Sequence, residues 1–191
     1  MKLCKFCKVP DSPVWKTMRT VSALCCLLAA TLFMCGGSVT AKQVHFGKCA
    51  LNLHLRNLRE HFNEMDSFIP QGDSSIALLD GDALNDIKPA ESCCFLRQVM
   101  VFYLRSVFGH YTSKHPIVRR RCSSLANSFS SIEKPLTECH RRMMCHCGEE
   151  TRLKMKELQS TYDKLDARAA AEKAIGEIQI LLSWMEKPHD Y

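Results

Sequence analysis

The sequence predicts an all-α fold, a compact bundle of about six to seven helices stapled by disulfides. Three observations predict it. Apolar residues recur at helical spacing along most of the chain, no segment sustains strand alternation between turn signals, and cysteines cluster beyond a single apolar run near the N-terminus.

That apolar run comes first. Lys2, Lys5, Lys8, Lys16 and Arg19 precede Val21 to Cys35, and Gly36-Gly37-Ser38-Val39-Thr40-Ala41 follows. A basic flank, a short apolar stretch and small residues at Val39 and Ala41 describe a signal peptide over 1–41, cleaved before Lys42. The stretch falls short of the ~20 residues a membrane-spanning helix needs. Met18 offers an alternative start. A leader of this kind places the mature chain, 42–191, outside the reducing cytosol, secreted and extracellular, with no stable membrane insertion after cleavage. Residues 1–41 hold five of the 26 basic residues and one of the 20 acids, which leaves a mature charge of +2. So nearly neutral a chain gives no reason to expect a nucleic-acid partner. The runs Arg119-Arg120-Arg121 and Arg141-Arg142 are read as solvated helix faces.

The helices follow in order. Leu51, Leu55, Leu58, Phe62 and Met65 step by four and three, one apolar stripe on a first helix. Gln71 to Ser75, Asp80-Gly81-Asp82 and Lys88-Pro89 break the pattern, so 67–90 reads mostly as a long connection. Phe95 to Phe108 is apolar on more than half its circumference, which predicts a central, well-buried helix. Gly109 to Pro116 ends it. Val118, Cys122, Leu125, Phe129, Ile132 and Leu136 form the next stripe, and Met155, Leu158, Tyr162 and Leu165 mark another helix. The last helix is expected from about Asp166 to Lys187, with Ala171, Ala174, Ile175, Ile178, Leu181, Leu182 and Met185 inward and Pro188 stopping it. A domain of this size buries about 70% of its unfolded surface, so bridges add to a real core.

Of the 12 cysteines, Cys4, Cys7, Cys25, Cys26 and Cys35 leave with the leader. Cys122 falls within an apolar stripe and reads as a small buried hydrophobe, free and inert. Cys93 and Cys94 stand consecutively at a helix start, so their side chains diverge by about 100° and do not pair with each other. Cys145 and Cys147, one residue apart, face the same side of an extended segment. Two neighbouring donors and two neighbouring acceptors suggest a double staple, which leaves Cys49 and Cys139 to join the N-terminal segment to the chain before it. Zinc is disfavoured. Cys139, His140, Cys145, His146 and Cys147 offer ligands, but the mature chain has no C-x-x-C pair, and three contiguous ligands crowd a tetrahedral ion.

Catalytic signatures are absent. No G-x-S-x-G, H-E-x-x-H, P-loop or G-x-G-x-x-G occurs, and no nucleophile, base and orienting acid can be assembled from spacing. Glu149 and Glu150 read as first-turn acids favoured by a helix dipole. The chain is expected to be no enzyme and to need no cofactor; it is expected to work by binding.

The residues themselves resemble a known family. Cys93-Cys94-Phe95-Leu96-Arg97, Tyr103 to Phe108 (YLRSVF), Ser123 to Phe129 (SSLANSF), Cys145 to Glu150 (CHCGEE), and Ala169-Ala170-Ala171 with Leu181 to Glu186 (LLSWME) look like the interleukin-10 family, in its interleukin-19, -20 and -24 subgroup. The likeness is strong from Pro89 onward, weaker over 49–65 and poorest over 66–88. It implies a helical-bundle cytokine acting as a monomer, with bridges Cys49–Cys139, Cys93–Cys145 and Cys94–Cys147. It also implies its partners: two different class II cytokine receptor chains, resembling the interleukin-20 receptor pair, brought together to start Janus kinase and STAT signalling. Three features depart from the pattern: Cys122, Pro135 in a helix-like stretch, and the connection after Met65.

One receptor is expected to contact the first helix, its following loop and the penultimate helix, and the other a different face. Arg56, Asn57, Arg59, Glu60 and Asn63, opposite the first stripe, are the candidate contacts. A saposin-like lipid-binding protein is the alternative, since it too is secreted, helical and disulfide-bonded. Its domains are about half this length, and a charge of +2 gives little pull toward anionic membrane.

Overall fold

The core is built around one central helix and the partners its apolar surface demands. The structure, a computed structural model, describes residues 41–70 and 76–189; the leader read over 1–41 therefore lies outside it, but for Ala41. In chain order the elements are β1 (Lys42–Phe46), β2 (Cys49–Leu53), α1 (Leu55–Asp66), α2 (Gly81–Asn85), α3 (Pro89–Phe102), α4 (Pro116–Arg141), α5 (Glu149–Asp163), α6 (Ala167–Gly176) and α7 (Ile178–Met185). A π-helical turn, Tyr103–Val107, continues α3 into a last short turn, Phe108–His110.

The fold is mostly helical, with one addition the periodicity did not anticipate. Strands β1 and β2 form an antiparallel hairpin, with Lys42 opposite Leu53 and Phe46 opposite Cys49. Val44, Phe46, Cys49, Leu51 and Leu53 turn inward and their neighbours outward, the period-2 alternation of a half-buried sheet. Gly47 sits in the turn at φ 57°, a left-handed conformation that costs glycine little. A Cβ there would also press on the Pro89 carbonyl at 3.0 Å. Leu51 thus belongs to a strand, and α1 begins at Leu55. The C-terminal tail closes the hairpin: His189 stacks on Phe46 with centroids 4.9 Å apart, and the Gly47 N–H donates to the His189 carbonyl at 3.0 Å.

Helix α3 starts with Pro89 at its first position, where a missing N–H costs nothing. It buries Cys93 to Leu96, Val99, Met100 and Phe102, and packs against α4, α5 and β1. In the π turn the backbone is slightly unwound, and the Ser106 carbonyl accepts from the Tyr162 hydroxyl of α5 at 2.9 Å. The buried Tyr103 hydroxyl donates to the Ala174 carbonyl at 2.9 Å, and its ring meets Phe129 edge-on. Helix α4 presents Val118, Cys122, Leu125, Phe129, Ile132 and Leu136 to the core. Pro135 lies within it on the exposed face, where the carbonyl one turn earlier, deprived of its N–H partner, is free to meet water.

Two further differences concern the segments with mixed signals. The 67–90 connection contains α2, which is capped by the Asp80 side chain and held by Trp184, whose indole N–H donates to the Leu84 carbonyl at 2.9 Å. The expected last helix is two, broken at Gly176-Glu177. Glu177 is buried there, and its carboxylate accepts from the Leu78 and Leu79 N–H groups at 3.0 and 2.8 Å while Lys173 pairs with it at 3.3 Å. Break and connection are therefore one feature. No helix among the described residues is long and apolar enough to cross a membrane.

Candidate functional site

Helix α1 divides its residues cleanly. Leu55, Leu58, Phe62 and Met65 are buried, while Arg56, Glu60 and Asn63 are exposed. Those three are spaced by four and three residues and form one outer row. Arg56 and Glu60 pair loosely within it at 3.7 Å. Asn57 is half-buried, at the row's margin. Arg59 stands apart from the row: its guanidinium forks onto Glu186 at the end of α7, at 2.9 and 3.2 Å. On the other flank Glu64 pairs with Arg121 of α4, whose guanidinium also lies 3.3 Å from His61. Helix α1 therefore packs against α4 and α7, whereas α5 packs against α3 and α6. The surface beside α1 is completed by the start of α4 and the end of α7.

Two residues past α1, the chain exposes Phe68 to 46%, its ring stacked on His115 at 4.1 Å. Ile117, in the first turn of α4, is 44% exposed. Phe68 and Ile117 stand with Met143 and Leu153 as the large apolar side chains left exposed among the described residues, and such groups mark a binding surface where they adjoin. Neither Phe68 nor Ile117 is marked by the polar row opposite the first apolar stripe. Phe68 fell in the unmatched connection, and Ile117 sits beside Val118, which carries the buried stripe; its being out of phase with that stripe was the available signal.

The cysteines form a second constellation. Bridges join Cys49 to Cys139, Cys93 to Cys145 and Cys94 to Cys147, with Cα atoms 5.9, 5.1 and 5.3 Å apart. Cys122 is free and buried. The two bridges from the start of α3 hold the segment before α5, and Glu91 reinforces them. Its buried carboxylate accepts from the Thr151 N–H at 2.8 Å, supplying from α3 the cap that α5 lacks at its own N-terminus. Gly148 makes room for it, since a Cβ there would fall on the Glu91 carboxylate. This assembly ties the start of α3 to the segment entering α5. Among the described residues no group of three or more His, Cys, Asp or Glu side chains is placed to hold a metal ion.

Comparison with known proteins agrees with this architecture. A family profile described as Interleukin 10 matches residues 22–189. The chain is 40% identical to interleukin-20 of Mus musculus over 149 residues, 76% of this chain and 85% of that protein. The structure of PROSS-edited human interleukin 24 superposes with a TM-score of 0.67 at 34% identity, covering 75% of this chain and 96% of that one. Human interleukin-19 superposes with a TM-score of 0.63 at 30% identity, covering 71% and 90%. These relatives are cytokines, not enzymes, and they separate the chain from the saposin-like alternative. A disulfide-bonded helical bundle, matched over most of its length by profile, sequence and structure, belongs to the interleukin-10 family of cytokines.

Proposed function

We propose that the protein is secreted, acts as a monomer, and signals by bringing two different class II cytokine receptor chains together to trigger the Janus kinase and STAT pathway. One receptor chain docks on the outer row of α1, Arg56, Glu60 and Asn63, with Phe68 and Ile117 as its apolar anchors and Asn57 and Arg59 at the margin. The second uses a different face. What supports this reading is the pairing of a polar row with exposed apolar side chains that the core does not use. Interface energy concentrates in a few well-packed anchors, so Phe68 and Ile117 carry more of it than the charged row. Arg59 contributes less than its position suggests, because Glu186 already holds its guanidinium.

The experiment is binding of purified 42–191 to immobilised receptor ectodomains, taken singly and in pairs. Phe68→Ala with Ile117→Ala is expected to weaken binding of one receptor chain by at least about tenfold, equivalent to about 1.4 kcal/mol, and to leave the other unchanged. Equal binding of both chains by the variant would remove this surface from the proposal. No binding by the unaltered protein would remove the receptor reading. N-terminal sequencing of secreted material, expected to begin at Lys42, checks the leader.

A further inference from the structure

The three bridges meet solvent differently. Cys49 and Cys93 are fully buried, Cys145 is nearly so at 6% exposure, and Cys139 is half-buried. Cys94 is also fully buried, but its partner Cys147 is exposed. Cys147 lines an open cleft of about 590 Å³ whose other walls include Lys48, His140, Met143 and His146. Nδ1 of His140 lies 3.9 Å from the Cys147 sulfur. On the inner side, the Gln98 side-chain amide donates to the Cys94 sulfur at 3.1 Å.

Thiol–disulfide exchange needs three things: a sulfur the entering thiolate can reach, surroundings that accept its negative charge, and a stabilised leaving thiolate. Cys94–Cys147 has all three. The reachable sulfur is Cys147. Lys48 is the fixed positive charge on the cleft wall, and His140 and His146 add polar rings. The buried leaving sulfur, Cys94, already faces an N–H donor. Cys93–Cys145 does not compare. Although Cys145 borders the same cleft, it is buried, and its sulfur lies 3.8 Å from the Leu136 carbonyl oxygen, whose partial negative charge opposes a thiolate.

We propose that Cys94–Cys147 is a modification site, a bridge opened by a dithiol reductant while the fold is retained. One reductant thiolate attacks the Cys147 sulfur. A reductant–Cys147 disulfide forms, the bond to Cys94 breaks, and its electron pair leaves on Cys94 as a thiolate held by the Gln98 amide. The second reductant thiol, as its thiolate, then attacks its own partner's sulfur in that mixed disulfide. Cys147 departs as a thiolate and the reductant becomes a cyclic disulfide. Two electrons pass to the bridge, and the two protons given up by the dithiol end on Cys94 and Cys147. The bundle persists because Cys93–Cys145 and the Glu91 bond to Thr151 still hold α3 to the segment entering α5, and Cys49–Cys139 still ties β2 to α4.

The test is graded dithiothreitol on the oxidised full mature protein under native conditions, followed by alkylation and peptide mapping. Cys94 and Cys147 are expected to be labelled at a reductant exposure about tenfold below that of the other four bridged cysteines, with helical circular dichroism unchanged. Earlier opening of Cys93–Cys145 or Cys49–Cys139, or loss of all three together, would overturn the proposal. Gln98→Leu is expected to slow opening about fivefold, the worth of one hydrogen bond to the leaving thiolate. Opening at the unaltered rate would also count against it. Should that variant fail to fold, the labelling order in the unaltered protein decides alone.

Discussion

Cys122 shows what one buried side chain does in this bundle. It occupies the α4 stripe between Val118 and Leu125, 8% exposed, and burial pushes its thiol up to about 11. A thiol that holds its proton more tightly when folded than when unfolded adds nothing at neutral pH, where both states keep the proton. Above about 8.5 the unfolded thiol ionises first, so stability falls with rising pH until the folded thiol also ionises. Cys122→Val keeps a small apolar group in place and removes the titration. It is expected to cost less than about 1.5 kcal/mol at pH 7. Urea melts at pH 7 and 9.5 should show the unaltered protein losing stability relative to the variant. Alkylation of Cys122 before denaturation would contradict its inert role.

At the scale of elements, the end of α4 sets the geometry of everything that follows. Met143 is 89% exposed and sits at φ 60°, with its N–H on the His140 carbonyl and the Met144 N–H on the Cys139 carbonyl, each at 3.0 Å. This Schellman turn reverses the chain toward α3, and it normally carries glycine because a Cβ is strained there. Met143→Gly is expected to raise stability by about 0.5–1 kcal/mol, read from a thermal or urea melt. A loss would mean that the methionine packs in a way its exposure denies. The sequence signals elsewhere were uneven for physical reasons. The α4 stripe, Val118 to Leu136, spans about five turns, and no other period fits it. The hairpin strands have only five residues each, and the step of four from Leu51 to Leu55 suits a helix as well as it suits a strand followed by a helix. The α6–α7 break has no proline to mark it, and it depends on Glu177 meeting Leu78 and Leu79, a contact about a hundred residues apart. For the candidate surface, the polar row on α1 was legible because it lies opposite an apolar stripe. Phe68 and Ile117 were not, since exposure of an apolar residue is a property of what fails to pack on it.

For the whole molecule, stability and signalling meet at the double staple. Bridges Cys93–Cys145 and Cys94–Cys147, with the Glu91 cap on α5, fix the start of α3 to the segment entering α5. Helix α3 in turn packs on α4, and α4 packs on α1, so the staple helps set where the proposed receptor surface lies relative to the other faces of the bundle. Opening one bridge leaves that frame in place. Replacing all four cysteines with Ser removes both and leaves polar hydroxyls where Cys93, Cys94 and Cys145 are buried. The cost is expected to reach several kcal/mol, since one native bridge typically contributes about 2–5. STAT phosphorylation at physiological temperature should then fail, although none of the four residues lies on the α1 surface. The comparison is a melting curve beside a phosphorylation dose response for the unaltered and the Ser-substituted protein. A variant that melts with the unaltered protein yet no longer signals would make the staple region itself a contact surface. A variant that keeps both properties would show that helix packing alone, without these bridges, sets the spacing two receptors read.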